Sequence, residues 1–325
     1  MIRFLLRRLA NYVALAFVAT FLAYCLAALT FTPLGSLQGR NPPPPPEVIE
    51  RRRQALDLDE PILVRFYNWF TGALQGDFGE TVTGQQVTDE LISRMGVSLR
   101  LLLIGTLIGV TLGVILGVVS AIRQYKPSDY VSTFLSFLIL STPVFLLALL
   151  LQFAAIRFND AAGTTLLYFT GETTAGFQGG FWAALLDRLQ HLILPTIAIA
   201  LTQIAYYSRY QRSAMLDVLG SDFLRTAQAK GLTRRRALFK HGLRTALIPM
   251  ATLFAFGFGL LVTGAVFVER IFAWYGMGDW YVRAVAIEDV NIVATVVLFT
   301  AVLVLLSGWL SDVLYAVLDP RIRIR

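Results

Sequence analysis

Six stretches of this chain are apolar over about twenty residues each, the length an α-helix needs to cross a bilayer at a rise of 1.5 Å per residue. They lie at 9–31, 101–122, 131–156, 189–208, 245–268 and 290–311. Backbone groups in hydrocarbon have no water to bond, so runs of this kind have to satisfy themselves as helices. Composition agrees: 56% of the 325 residues are hydrophobic, 15% are charged, and the mean hydropathy is +0.64. The expected fold is an all-α polytopic membrane protein with six transmembrane helices.

The first run follows Arg3, Arg7 and Arg8. It is longer than a signal-peptide core and no small-x-small site follows it, so it reads as an anchor. With the N-terminus in the cytoplasm, seventeen of the 28 Lys and Arg fall on inner segments. These are the three N-terminal arginines, Arg123 and Lys126, nine cations between Arg209 and Arg244, and Arg321, Arg323 and Arg325. The positive-inside bias therefore places both termini in the cytoplasm. The same placement accounts for a net charge of +7 without a nucleic-acid partner. A single cysteine, Cys25, excludes an internal disulfide framework.

The chain divides accordingly into a first transmembrane helix (1–31), an external segment (32–96), a five-helix core (97–318) that includes a basic cytoplasmic loop (209–248), and a basic tail (319–325). In the external segment, prolines at 42–46 suggest a polyproline II spacer and 47–56 a charged helix. Gly76 and Gly79 bracket a tight turn, and a helix is expected back to the membrane from Val82. In the second run Gly105, Gly109, Gly113 and Gly117 recur every fourth residue along one face. They reflect either close approach of another helix or the general glycine enrichment of membrane helices. Pro143 and Pro195 each remove a ladder hydrogen bond and should bend their helices. Gln152 and Gln203 are polar side chains in apolar runs, suited either to a pathway or to bonding across helices. Trp274, Tyr275, Trp280 and Tyr281 suit a membrane–water interface or a substrate contact.

The basic loop has its own punctuation. Ser221 is placed to cap a short helix, Gly231 to end it in a left-handed turn, and Thr233 to cap a second helix. That second helix is expected to run to Pro249, where the fifth span starts.

Arg225-Thr226-Ala227, Gly231 and Ile248-Pro249 together resemble the EAA loop of importer permeases of the ABC (ATP-binding cassette) class. Arg225 and Thr226 replace that loop's Glu and first Ala, as in the oligopeptide and dipeptide importer branch. Leu58-Asp59-Glu60-Pro61 and Gly76-Asp77-Phe78-Gly79 resemble the same branch, with Glu80 where Ser is expected. Glu269, Phe272, Trp274, Gly276, Gly278 and Asp289 resemble its external E-x-x-F-x-x-P-G-L-G segment, with Tyr275 at the proline position.

The resemblance implies a coupling helix that seats in a cleft of a separate ATPase. Its residues here would be Asp222, Arg225, Thr226, Ala227, Ala229, Lys230 and Gly231, the alanines keeping it slim and Arg225 and Lys230 pairing with acids on the partner. The implied partners are a second homologous permease, two ATPase subunits and an external substrate-binding protein, in the inner membrane of a prokaryote. ATP and Mg would belong to the ATPase subunits, with no cofactor in this chain. The implied substrate is a peptide, with nickel chelates or other small solutes as the alternative. Residue chemistry fits a non-catalytic subunit. There is no G-x-x-x-x-G-K-[ST] loop, no nucleophile elbow and no HExxH. His191 and His241 fall at opposite faces of this topology, and no run holds an acid away from its ends. A self-contained channel or proton-coupled carrier is the competing reading, and the missing intramembrane acid argues against it.

Overall fold

The computed structural model describes residues 2–39, 41–42 and 44–318; the basic tail and Pro43 of the proline run lie outside these. In chain order the helices are α1 (Ile2–Thr30), α2 (Gly35–Gln38), α3 (Pro46–Ala55), α4 (Ile62–Leu74), α5 (Val87–Ile122), α6 (Pro127–Ser141) and α7 (Val144–Ala162). There follow α8 (Phe181–Leu219), α9 (Asp222–Ala229), α10 (Arg234–Ala237), a π-helical turn (Leu238–Gly242), α11 (Leu243–Ile271), α12 (Met277–Ala286) and α13 (Val290–Leu318). Among the described residues there is no strand, only a bridge between Glu80 and Gln86. Among the described residues, five segments are long and apolar enough to cross a membrane: Arg7–Thr30, Val87–Ile122, Val144–Ala162, Phe181–Leu219 and Val290–Tyr315. The expected run at 245–268 falls within α11.

The described residues form two units, one of 2–5, Arg100–Trp274 and 306–318, the other of Leu6–Leu99 with Tyr275–Leu305. In the second unit, Tyr24 and Ala27 of α1 pack with Phe66 and Trp69 of α4, Val87 and Leu91 of α5, Trp280 of α12 and Val293 of α13. Helix α4 was not anticipated from the sequence, but α3 matches the charged helix expected there. Gly76 (φ +86°) and Gly79 (φ +77°) do form a turn, and the Gly79 amide donates to Asp77 Oδ1 at 2.9 Å. The helix that follows begins at Val87 rather than Val82, because 80–86 folds on itself through the Glu80–Gln86 bridge. Asp289 anchors this fold to α13, accepting from the amides of Ile292 (3.0 Å) and Val82 (2.7 Å). Glu80, the departure from the branch pattern, pairs with Arg52 at 2.6 Å. Trp274 and Trp280 are 2% and 3% exposed. Their rings are buried against protein, which overturns a membrane-interface role for both.

In the first unit the glycine row meets α8 residue for residue. A Cβ on Gly105, Gly109, Gly113 or Gly117 would fall within 3 Å of Ile199, Gln203, Tyr207 and Gln211, respectively. The pairing ascends along both chains, so α5 and α8 run parallel with their backbones in close approach. Gly117 is the tightest point against backbone, with the Ser208 carbonyl oxygen at 2.6 Å and the Arg212 amide nitrogen at 3.0 Å from that Cβ position. Backbone cannot rotate away as a side chain can. Gly117→Ala is therefore expected to cost about 1–3 kcal/mol through overpacking, and Gly105→Ala, which meets only the Ile199 side chain, less. Thermal unfolding of the two variants in detergent checks the order.

Pro143 and Pro249 act differently from expectation. Pro143 breaks the third run rather than bending it: α6 ends at Ser141, Thr142 is extended (ψ 122°), and Pro143 opens α7. A residue before proline is pushed out of the helical region. The Ser141 and Thr142 hydroxyls both donate to the Leu138 carbonyl, at 2.9 and 2.8 Å. Pro195 lies inside a continuous α8, and Pro249 inside α11 rather than at its start. The helical path from Arg234 reaches α11 through the π turn, without the break expected at Pro249.

Candidate coupling loop and the family of the chain

Helix α9 is short and strongly two-faced. Leu224 is buried, and Ala227 and Gln228 are half-buried beside it at i+3 and i+4. Leu224 packs with Val118 and Ala121 of α5, Met215 and Val218 of α8, Ala237 and Leu238, and Ala246 of α11. Burying one leucine stabilises by about 1.5–3 kcal/mol, enough to hold a two-turn helix against these neighbouring elements. Gly242 completes the fit, since a Cβ there would press on Leu238, Val218 and Leu224 at 3.1–3.4 Å.

The end of α9 is a Schellman closure. The Gly231 amide donates to the Gln228 carbonyl (2.9 Å) and the Leu232 amide to the Ala227 carbonyl (3.3 Å). Gly231 has φ +94°, in the left-handed region expected of it. Leu232 and Ala227 both contribute to the cluster under the helix. Thr233 caps α10 as expected, its hydroxyl accepting from the Arg236 amide at 3.4 Å. Ser221 occupies the cap position of α9 but does not accept from the helix. Its hydroxyl donates backward to the Val218 carbonyl at 2.6 Å, satisfying the end of α8 instead.

Of the residues singled out in the loop, Asp222, Arg225, Thr226, Ala229, Lys230 and Gly231 are exposed. Ala227 is on the inner side, so its small size serves packing against the bundle and not a slim outer face. Arg225 lies 3.5 Å from Asp222, both well exposed, a pair worth about 0–1 kcal/mol. Phe223 also stands on the outer face, 44% exposed. Sequence reasoning passed over it as one more apolar residue.

A second feature was also missed. Asp129, in the first turn of α6 and ahead of the apolar run, is buried against Arg212 near the end of α8. The guanidinium donates to both carboxylate oxygens, at 2.7 and 2.8 Å. Ser120 Oγ and the Tyr125 amide (3.0 Å) donate to the same carboxylate. These hydrogen bonds, led by those from Arg212, hold the Asp129 carboxyl well below the usual carboxylate range. The only hint in the sequence was an acid and an arginine, 83 residues apart, each near an apolar run.

The two glutamines have different fates. Gln152 donates to the carbonyls of Phe169 (3.2 Å) and Ile271 (3.3 Å), so it ties the loop after α7 to the end of α11. Asn159 and Asp187 stitch the same loop, through Leu166, Leu167 and Thr174. Gln203 is buried opposite Gly109, and its Oε1 has no hydrogen-bond partner among the described residues. Two turns on, Gln211 is fully buried and both its amide atoms lack such a partner.

Comparison with known proteins gives the frame for these features. Residues 109–324 match the family described as "Binding-protein-dependent transport system inner membrane component". Residues 1–90 match "Binding-prot-dependent transport system membrane comp, N-term". The chain is 59% identical over 324 residues, 100% of both chains, to "Oligopeptide transport system permease protein OppB" of Mycobacterium tuberculosis. It is 36% identical, over 82% of both chains, to "Oligopeptide transport system permease protein AppB" of Bacillus subtilis. With "Di/tripeptide transport system permease protein DppB" of Pseudomonas aeruginosa it shares 33% identity over 99% of both chains. With these matches running nearly end to end over an all-helical chain of membrane-length helices, the protein belongs to the family of inner-membrane permease components of binding-protein-dependent transport systems.

Proposed function

We propose that this chain is one permease subunit of an ATP-driven importer of oligopeptides or dipeptides, and that α9 is the lever through which it is moved. The observation that carries the reading is the construction of α9. Its outer face is exposed and polar apart from Phe223, while Leu224 and the Schellman closure lock its inner face to α5, α8 and α11. A push on such a knob is passed to those helices and not absorbed by the loop.

In this reading six spans cross the membrane with both termini cytoplasmic, α6 and α7 together making the third crossing. The parallel run of α5 and α8 supports a single crossing between them. A second homologous permease completes the pathway, two ATPase subunits carry ATP and Mg, and an external binding protein delivers substrate. ATP binding draws the ATPase subunits together, α9 follows, and the bundle changes the side on which its pathway opens. The energy has to enter there, because a ligand shifts such an equilibrium only by its differential affinity for the two states. Peptide is the favoured cargo because the relatives at 59% and 36% identity carry oligopeptide transport in their names. Nickel chelates or other small solutes would use the same mechanism. ATP hydrolysis belongs to the partners.

The purified chain alone in liposomes is expected to take up no labelled peptide, and the reconstituted complex to do so only with ATP. Full-rate uptake by the chain alone, without nucleotide, would make it a self-contained channel or carrier and sink the reading.

A further inference from the structure

Beyond α9 the loop presents a second surface of different chemistry. Thr233, Arg235, Arg236, Phe239 and Lys240 line an open groove of about 500 Å³. Its three cations are exposed, as is the neighbouring Arg234, and none of the four has a carboxylate partner among the described residues. Phe239 stands among them 52% exposed. The next cation along, Arg244, is already committed, donating to the carbonyls of Leu318 (2.9 Å) and Val317 (3.0 Å).

We propose that this groove binds the phosphate headgroup of an anionic phospholipid from the inner leaflet, with Arg235, Arg236 and Lys240 on the headgroup and the Phe239 ring against its glycerol and upper acyl region. The proposal rests on the topology given above, which puts the loop in the cytoplasm. Three observations favour a lipid over a protein surface. First, the groove presents cations and one aromatic ring without an acid, whereas the outer face of α9 sets Asp222 beside Arg225, the two signs a protein partner would read. Second, the helical path from Arg234 continues without a break into α11. Lys240 thus sits five residues, roughly 7.5 Å along a helix, before the apolar run that starts at Thr245. That is the depth of the headgroup layer, within reach of a long cationic side chain. Third, an exposed phenylalanine beside cations at this depth suits an interfacial anchor. A lipid held there would brace the base of α11 one segment away from the lever.

The test uses the complete transporter in detergent and fluorescent short-chain phosphatidylglycerol, with phosphatidylcholine as the zwitterionic control. Wild type is expected to prefer phosphatidylglycerol, and each of Arg235→Gln, Arg236→Gln and Lys240→Gln to weaken its binding about fivefold, as expected for one cation near an anionic headgroup. Phe239→Ala should weaken both lipids alike. All four side chains are exposed, so a shared unfolding temperature with wild type confirms intact folding. Millimolar inorganic phosphate should leave phosphatidylglycerol bound. Unchanged phosphatidylglycerol binding in the triple variant overturns the proposal. Complete displacement by phosphate does so too, by making the groove a site for free anions. Loss of the ATPase subunits from the triple variant with lipid binding intact would assign the groove to a protein partner. Because binding is read without transport, failure of the importer reading shows separately, as nucleotide-independent uptake.

Discussion

Gly231→Val is expected to abolish peptide-stimulated ATP hydrolysis and transport while leaving insertion and assembly intact. No atom lies within 4 Å of the position a Cβ would take there, so the effect is not a clash. It is a backbone effect: at φ +94° an L-residue is strained, by about 1–2 kcal/mol for an ordinary side chain and more for a β-branched one. Relief comes from unwinding the Schellman closure. That frees the Gln228 and Ala227 carbonyls and releases Leu232 from the cluster beneath α9. The lever then pivots on its own loop. A graded series separates this from general damage. Gly231→Asn should retain most coupling, because Asn tolerates left-handed backbone; Ala should be intermediate and Val inactive. Substrate-stimulated ATPase of reconstituted complexes measures the order, and normal stimulation in the Val variant would refute the role given to α9.

Arg212→Ala is expected to be the most destabilising single change described here, by about 3–5 kcal/mol, because it strands a buried carboxylate. Asp129 would keep only Ser120 and Tyr125 as donors. Replacing both partners by apolar residues, Asp129→Leu with Arg212→Met, should recover most of the loss, since no unpaired charge then remains. Thermal midpoints of the singles and the double close that cycle. The pair also makes a pH prediction. The Asp129 carboxyl is held down in the folded state, so its stabilisation is fully present above its unfolded value near ~4 and fades as pH falls below that. Between neutral pH and pH ~4 the gap in stability between wild type and Asp129→Asn should hold steady, then close on further acidification. A gap that stays constant down to pH ~3 would show that the carboxylate is not held as described.

Much of this was legible from residues alone, for a local reason. Gly231 and Thr233 speak through their own backbones, so their roles as stop and cap needed no neighbours. The glycine row stated its face by period, although not which helix it met. Ser221 shows the limit. Its hydroxyl had two orphan groups in reach, the amides of α9 and the last carbonyls of α8, and sequence does not rank them. Trp280 shows another: an aromatic beside a membrane run suits water, lipid or core equally until its neighbours from α1, α4 and α13 are known.

What the sequence determined by itself was the class: a helical membrane protein with six apolar runs, and between the fourth and fifth a basic stretch with a glycine stop and a capped helix. Each follows from free energies belonging to single residues, namely transfer to hydrocarbon, charge and φ. Tertiary structure alone decided which groups separated in the chain meet. It set the Asp129 carboxylate on the Arg212 guanidinium, turned Ala227 inward and Phe223 outward, spent Gln152 on two carbonyls and broke the third run at Pro143. Those outcomes depend on what lies across the interface, and a pairwise contact has no trace in either residue taken alone.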